Sequence, residues 1–150
     1  NELGNNLATS EEFVEDFFLK IECEMVYQIH TITPLISSQR IIEFDNFCNN
    51  NNHFDTVLSG IEDQIEVMYK YKPVNFSFNK KTNSQDLIPT QKITWPLTKW
   101  TRNVFLKAKQ DMGIGTYSGN IGFFPVNFFE GFPIKNDKDL MIANVLEPFI

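Results

Sequence analysis

The apolar residues of this chain change their period partway along, so neither an all-helical nor an all-strand fold can accommodate it. Over residues 10–30, Phe13, Phe17, Ile21 and Met25 recur every four positions, with Val14, Phe18 and Ile29 beside them. That spacing predicts one apolar helical face. Thr9 and Glu12 stand at the S/T-x-x-E spacing of a capping box. The early acids Glu11, Glu12, Glu15 and Asp16 suit the positive end of a helix dipole, and Pro34 ends the pattern. Over 68–78, by contrast, apolar and polar residues alternate, which is strand behaviour. Pro73 marks that strand as an edge or a bulge.

The remaining stretches fill in an α+β domain. Residues 39–47 fit either a short helix or a strand. Asn49–Asn52 predict a loop. A second helix is predicted over 54–68, with Phe54, Val57, Leu58, Ile61, Ile65 and Met68 on one face and Asp55, Glu62, Asp63 and Glu66 outward. A polar turn at 79–84 leads to a returning hairpin strand over 87–93. A third helix is predicted from Thr94, with Pro96 in its first turn, Leu97, Trp100, Val104 and Ala108 inward, and Gly113 and Gly115 as its stop. Residues 116–135 read as turns and short strands. A last helix over 137–147 follows Asn136 or Asp137 as cap. The expectation is about four helices with a small antiparallel sheet, packed in layers as a single domain over 1–150.

No run of 18 apolar residues occurs, so no transmembrane helix and no membrane role are predicted. The start lacks a Met, a basic region and an apolar stretch, so no signal peptide is visible. A removed signal peptide and a longer parent protein both stay open. Two cysteines, Cys23 and Cys48, make no disulfide framework, and an intracellular, cytoplasmic protein is expected.

Charge is sorted by position. Residues 1–66 hold thirteen Asp/Glu and two Lys/Arg, whereas residues 67–150 hold six acids and eleven bases. Within the basic part, cations alternate with aromatics over 69–109. Cations can track phosphates while aromatic faces stack on bases, worth roughly 1–3 kcal/mol each. The leading expectation is therefore a non-catalytic binding module for single-stranded nucleic acid. Lys70, Lys72, Lys80, Lys81, Lys99 and Arg102 would supply charge, and Tyr69, Tyr71 and Trp95 would supply stacking. The alternative is an acidic protein–protein adaptor or inhibitor, similar in logic to antitoxin or immunity proteins, in which Glu11, Glu12, Glu15, Asp16, Glu62 and Glu66 face a basic partner.

Other features carry less chemistry. Gly113–Gly119 follows a predicted helix instead of opening one, so it does not read as a phosphate loop. Cys23, His30, Cys48 and His53 lack the close pairing of zinc modules. His30 is expected at the end of the first helix, serving its dipole. Glu62, Asp63 and Glu66 read as a solvated helix face. The Phe-rich loop Gly115–Pro133 is either a partner surface or a flap over the core. No cofactor, metal or catalytic residue is predicted, while a composite enzyme site remains an open third possibility.

Overall fold

The computed structural model describes residues 8–149. Helix α1 spans Ser10–Lys20 behind the expected capping box. The Glu12 amide donates to Thr9 Oγ1 at 3.3 Å, and the Thr9 amide donates back to the Glu12 carboxylate at 2.6 Å. The helix ends ten residues earlier than its apolar spacing suggests, and strand β1 (Met25–Ile29) follows. The spacing misleads because β1 packs on both faces, Val26 against one core and Tyr27 against the other. A strand used on both sides does not alternate. Helix α2 (Ser38–Asn50) settles the ambiguous segment. It is capped by Ser37, whose Oγ accepts from the Arg40 amide at 3.1 Å, and it takes in Asn49 and Asn50 of the expected loop.

The expected second helix is strand β2 (Thr56–Asp63). Thr56 through Ile61 are all buried, so this strand too hides its period. β3 (Met68–Tyr69) and β4 (Lys72–Pro73) form a small antiparallel ribbon of their own. The strand of residues 68–78 thus folds back on itself instead of pairing with 87–93. β5 (Thr90–Thr101) replaces the start of the expected third helix, which begins only at Arg102 as α3 (Arg102–Met112). Thr94 and Pro96 look like a helix start, but they sit in a β-bulge. Leu58 of β2 pairs with Thr98 and Gly60 with Ile93, so β5 carries extra residues there. A bulge is where a strand tolerates proline. α3 stops at Gly113 in the left-handed region, as predicted. β6 (Ile121–Pro125) and α4 (Asp137–Leu146), capped by Asn136, complete the chain.

The larger sheet has the order β1-β5-β2-β6. β5 is antiparallel to β1 and β2, while β2 and β6 are parallel. β1, β2 and β6 therefore run in one direction with β5 reversed among them. One core (Phe44, Cys48, Val57, Leu97, Phe124, Val126) lies between the sheet and α2. The other (Val14, Phe18, Trp100, Phe105) lies under α1 and α3. Over the described residues the fold is α+β with four helices, as expected, but its main sheet is four-stranded and mixed. Among the described residues no helix is long and apolar enough to cross a membrane.

Candidate functional site

A cleft of about 640 Å³ opens where β1 ends and β5 bulges. That volume lies in the range of small-molecule pockets. The cleft lies just beyond the carboxyl end of β1. Its walls come from five separate parts of the chain: the start of α1, the turn after β1, the β5 bulge, the loop at 114–117 and the loop at 135.

His30 is fixed at the cleft by its backbone. Its amide donates to Pro96 O at 3.1 Å, and its carbonyl accepts from the Thr33 amide at 3.2 Å and the Thr33 hydroxyl at 2.9 Å. Its Nε2 is buried with no hydrogen-bond partner in the protein. Burial, with a smaller push from Lys135, holds His30 below the ordinary histidine value. Burial thus favours the uncharged ring. On the same strand face, Gln28 Oε1 and Thr98 Oγ1, a cross-strand pair, are also buried without partners. Buried polar atoms are normally satisfied by protein or by ordered water, and of these three groups only His30 lines the cleft.

Trp95 forms the next wall. Its φ of 66° is left-handed, a conformation that costs a bulky residue about 1–3 kcal/mol and that concentrates at functional sites. The indole centroid lies 6.3 Å from the His30 ring and 6.0 Å from the Tyr117 ring. Lys135 is exposed at the rim, held near by the Ile134 amide donating to Ile32 O at 2.7 Å. Glu11 closes the floor and is already engaged. It pairs with Lys109 at 2.6 Å and accepts from the Gly115 and Thr116 amides at 3.2 and 3.0 Å and from the Thr116 hydroxyl. Burial alone would raise Glu11, but the bonds from Lys109 and Thr116 outweigh it and bring it below the usual carboxylate value.

The residues expected to form one basic-aromatic face are dispersed. Tyr69, Lys70, Tyr71 and Lys72 stand together on the β3–β4 ribbon, with Tyr71 91% exposed. Lys80 and Lys81 are exposed farther along the same excursion, and Lys81 pairs with Glu66. Lys99 is buried beneath the sheet, donating to Phe54 O at 2.7 Å and Thr101 Oγ1 at 2.9 Å. Burial draws it below the ordinary lysine value. Beside it, burial pushes the Cys48 thiol up to about 11. Arg102 donates to Phe18 O at 3.1 Å and ties α3 to α1. Trp95 faces the cleft instead of the ribbon.

His30, Tyr117 and Lys135 were not singled out by the sequence as ligand-facing residues. His30 follows a strand and does not end a helix. Glu62 and Asp63 end β2 and do not form a helix face. The available signal was the Trp95-Pro96 pair, since proline within a strand marks a bulge. The Phe-rich loop divides: Phe124 is buried, Phe123 and Phe132 are half-buried, and Tyr117, Phe128 and Phe129 are exposed. Cys23 and Cys48 are free thiols. No group of three or more His, Cys, Asp or Glu placed to hold a metal ion occurs among the described residues.

No family model and no curated protein matches the chain by sequence. The fold resembles that of 4-diphosphocytidyl-2C-methyl-D-erythritol synthase from Anaerococcus prevotii, with a TM-score of 0.57 and 10% sequence identity. The match covers 92% of this chain and 66% of that one, so the chain spans just under two thirds of its neighbour's length.

Proposed function

We propose that this chain is the ligand-binding part of a domain of the nucleotidyl-transfer kind, and that the cleft beside His30 takes a small phosphorylated polyol or sugar. The observation that carries this reading is His30 Nε2, buried and unpartnered in the wall of the cleft. A neutral imidazole nitrogen suits a ligand hydroxyl, to which it can give or from which it can take a hydrogen bond. Lys135 at the rim suits an anionic group, and the Trp95 and Tyr117 rings suit the apolar face of a carbon skeleton. The structural neighbour's name describes a product in which a branched polyol is joined through a diphosphate to cytidine, and this cleft offers groups for a ligand of that chemistry.

Calorimetric titration with an erythritol phosphate and with cytidine diphosphate tests the reading. Saturable binding that falls at least tenfold, about 1.4 kcal/mol, in both His30→Phe and Lys135→Glu is the expected result. Absence of binding by the folded wild-type chain, or binding indifferent to both substitutions, would sink it.

The basic-aromatic stretch supports a second reading, a macromolecule-binding face reduced to the excursion around Tyr71. Tyr69 and Tyr71 stand exposed beside Lys70 and Lys72, a combination on which single-stranded nucleic acid could stack. A titration of a labelled oligonucleotide at rising salt checks it. Binding must weaken steeply with salt if phosphates are being neutralised.

A further inference from the structure

The excursion between β2 and β5, residues 64–89, is an arm that is firmly built yet has almost no core of its own. Its shape is set by bonds inside itself. Asn75 donates to Ile65 O at 2.7 Å and Ile88 O at 2.9 Å and accepts from the Val67 amide at 2.9 Å, while Gln64 donates to Gln85 O and Leu87 O. At its tip, Lys70 and Tyr71 have φ of 47° and 65° in the two-residue connection between β3 and β4. That is the type I′ position normally given to Asn-Gly. Two ordinary L-residues there cost about 1–2 kcal/mol each. The strain places Tyr71 at 91% exposure.

The arm's large apolar residues face outward. Ile65, Met68, Tyr69, Val74, Phe78 and Ile88 are all more than half exposed, and Tyr71 with them. Leu87 is buried, and Val67 and Phe76 are half-buried. Patches of this kind mark interaction sites.

We infer that the arm docks onto the body of a second copy of this chain, each copy lending its arm to the other. Charge selects this occupant. The arm carries four lysines and two acids, while the rest of the chain carries nine Lys/Arg against seventeen Asp/Glu. A cationic arm is attracted to an acidic body, and the reciprocal exchange closes as a two-fold dimer. Nucleic acid fits the arm less well, because Ile65, Met68, Val74 and Ile88 offer it no stacking face and the acidic body repels phosphate.

Sedimentation equilibrium over a concentration series tests the inference on the whole chain. The expected species is twice 17.4 kDa. Two variants are compared, each first shown to unfold cooperatively. Tyr71→Asp places a charge at the tip. The double change Lys70→Asn with Tyr71→Gly installs the favoured turn while deleting the displayed side chains. Both should weaken dimerisation at least tenfold. A wild-type monomer at about 100 μM, weaker than most specific complexes, would overturn the inference. So would a dimer unchanged in both variants, or a monomer whose mass rises only when a single-stranded oligonucleotide is added.

Discussion

Glu11 and Lys109 meet at 2.6 Å across the seam between α1 and α3, with side chains only 13% and 23% exposed. The same carboxylate also receives two backbone amides and a hydroxyl from Gly115 and Thr116. One side chain thus joins two helices and fixes the loop that carries Tyr117 to the cleft.

Replacing Glu11 by Ala removes an acceptor from donors that have little access to water. The expected loss is about 3 kcal/mol, at the upper end for an unsatisfied buried group, read by urea denaturation. In the native chain the bonds hold Glu11 below its ordinary value of 4.5. The unfolded chain therefore takes up the proton first on acidification. The stabilisation is complete above pH 4.5 and is lost as pH falls through the lower folded value.

His30 titrates in the same sense by a different cause. Burial favours its neutral form, so its folded value lies below 6.5. Stability contributed by the uncharged ring is present above pH 6.5 and declines as pH falls through the folded value. An NMR titration of the ring protons should give a midpoint below 6.5.

Arg40 and Glu130 join α2 to the loop after β6. Arg40 Nε lies 2.9 Å from a carboxylate that is 6% exposed. That carboxylate also accepts from the Asn127 amide at 3.1 Å. Glu130→Ala leaves the guanidinium without its deepest partner and should cost about 3–5 kcal/mol, visible as a lower melting temperature. The half-buried Arg40 retains Glu43 at 2.7 Å, which favours the lower end.

Gly60 faces the bulged part of β5, where an added Cβ would collide with the Lys92 carbonyl and the Ile93 backbone. Gly60→Ala forces two central strands apart. It should cost about 3 kcal/mol or more, the upper range for overpacking, measured by denaturant midpoint.

The parts of the fold legible in the sequence are those decided within one turn of chain. Thr9–Glu12, Asn136 and Gly113 are caps whose donors and acceptors are near neighbours, and each stands where its residue type predicts. β2 and β5 were obscured because partners on both faces remove the alternation that identifies a strand. Phe54, Val57, Leu58 and Ile61 satisfy a helical stripe equally well. The cleft was hidden for a related reason. His30, Trp95, Tyr117 and Lys135 become neighbours only through the β1–β5 pairing and the Ile134–Ile32 bond. The surface expected over 69–109 splits because β5 sends Lys99 beneath the sheet and Trp95 toward the cleft. Its exposed ribbon part is where sequence reasoning placed Tyr69, Lys70, Tyr71 and Lys72.

The order β1-β5-β2-β6 also sets the order in which the chain can fold. β2 lies inside the sheet, yet both strands that pair with it come later in synthesis, β5 after the whole arm and β6 after α3. Pairings between such distant segments slow folding. Until Thr90–Thr101 has emerged, Val57, Leu58 and Ile61 have neither sheet edge covered, and the apolar arm is exposed beside them. The nascent chain passes through an interval in which its best-protected strand is its stickiest. Yield in a cell is governed by how long that interval lasts and by what binds β2 during it.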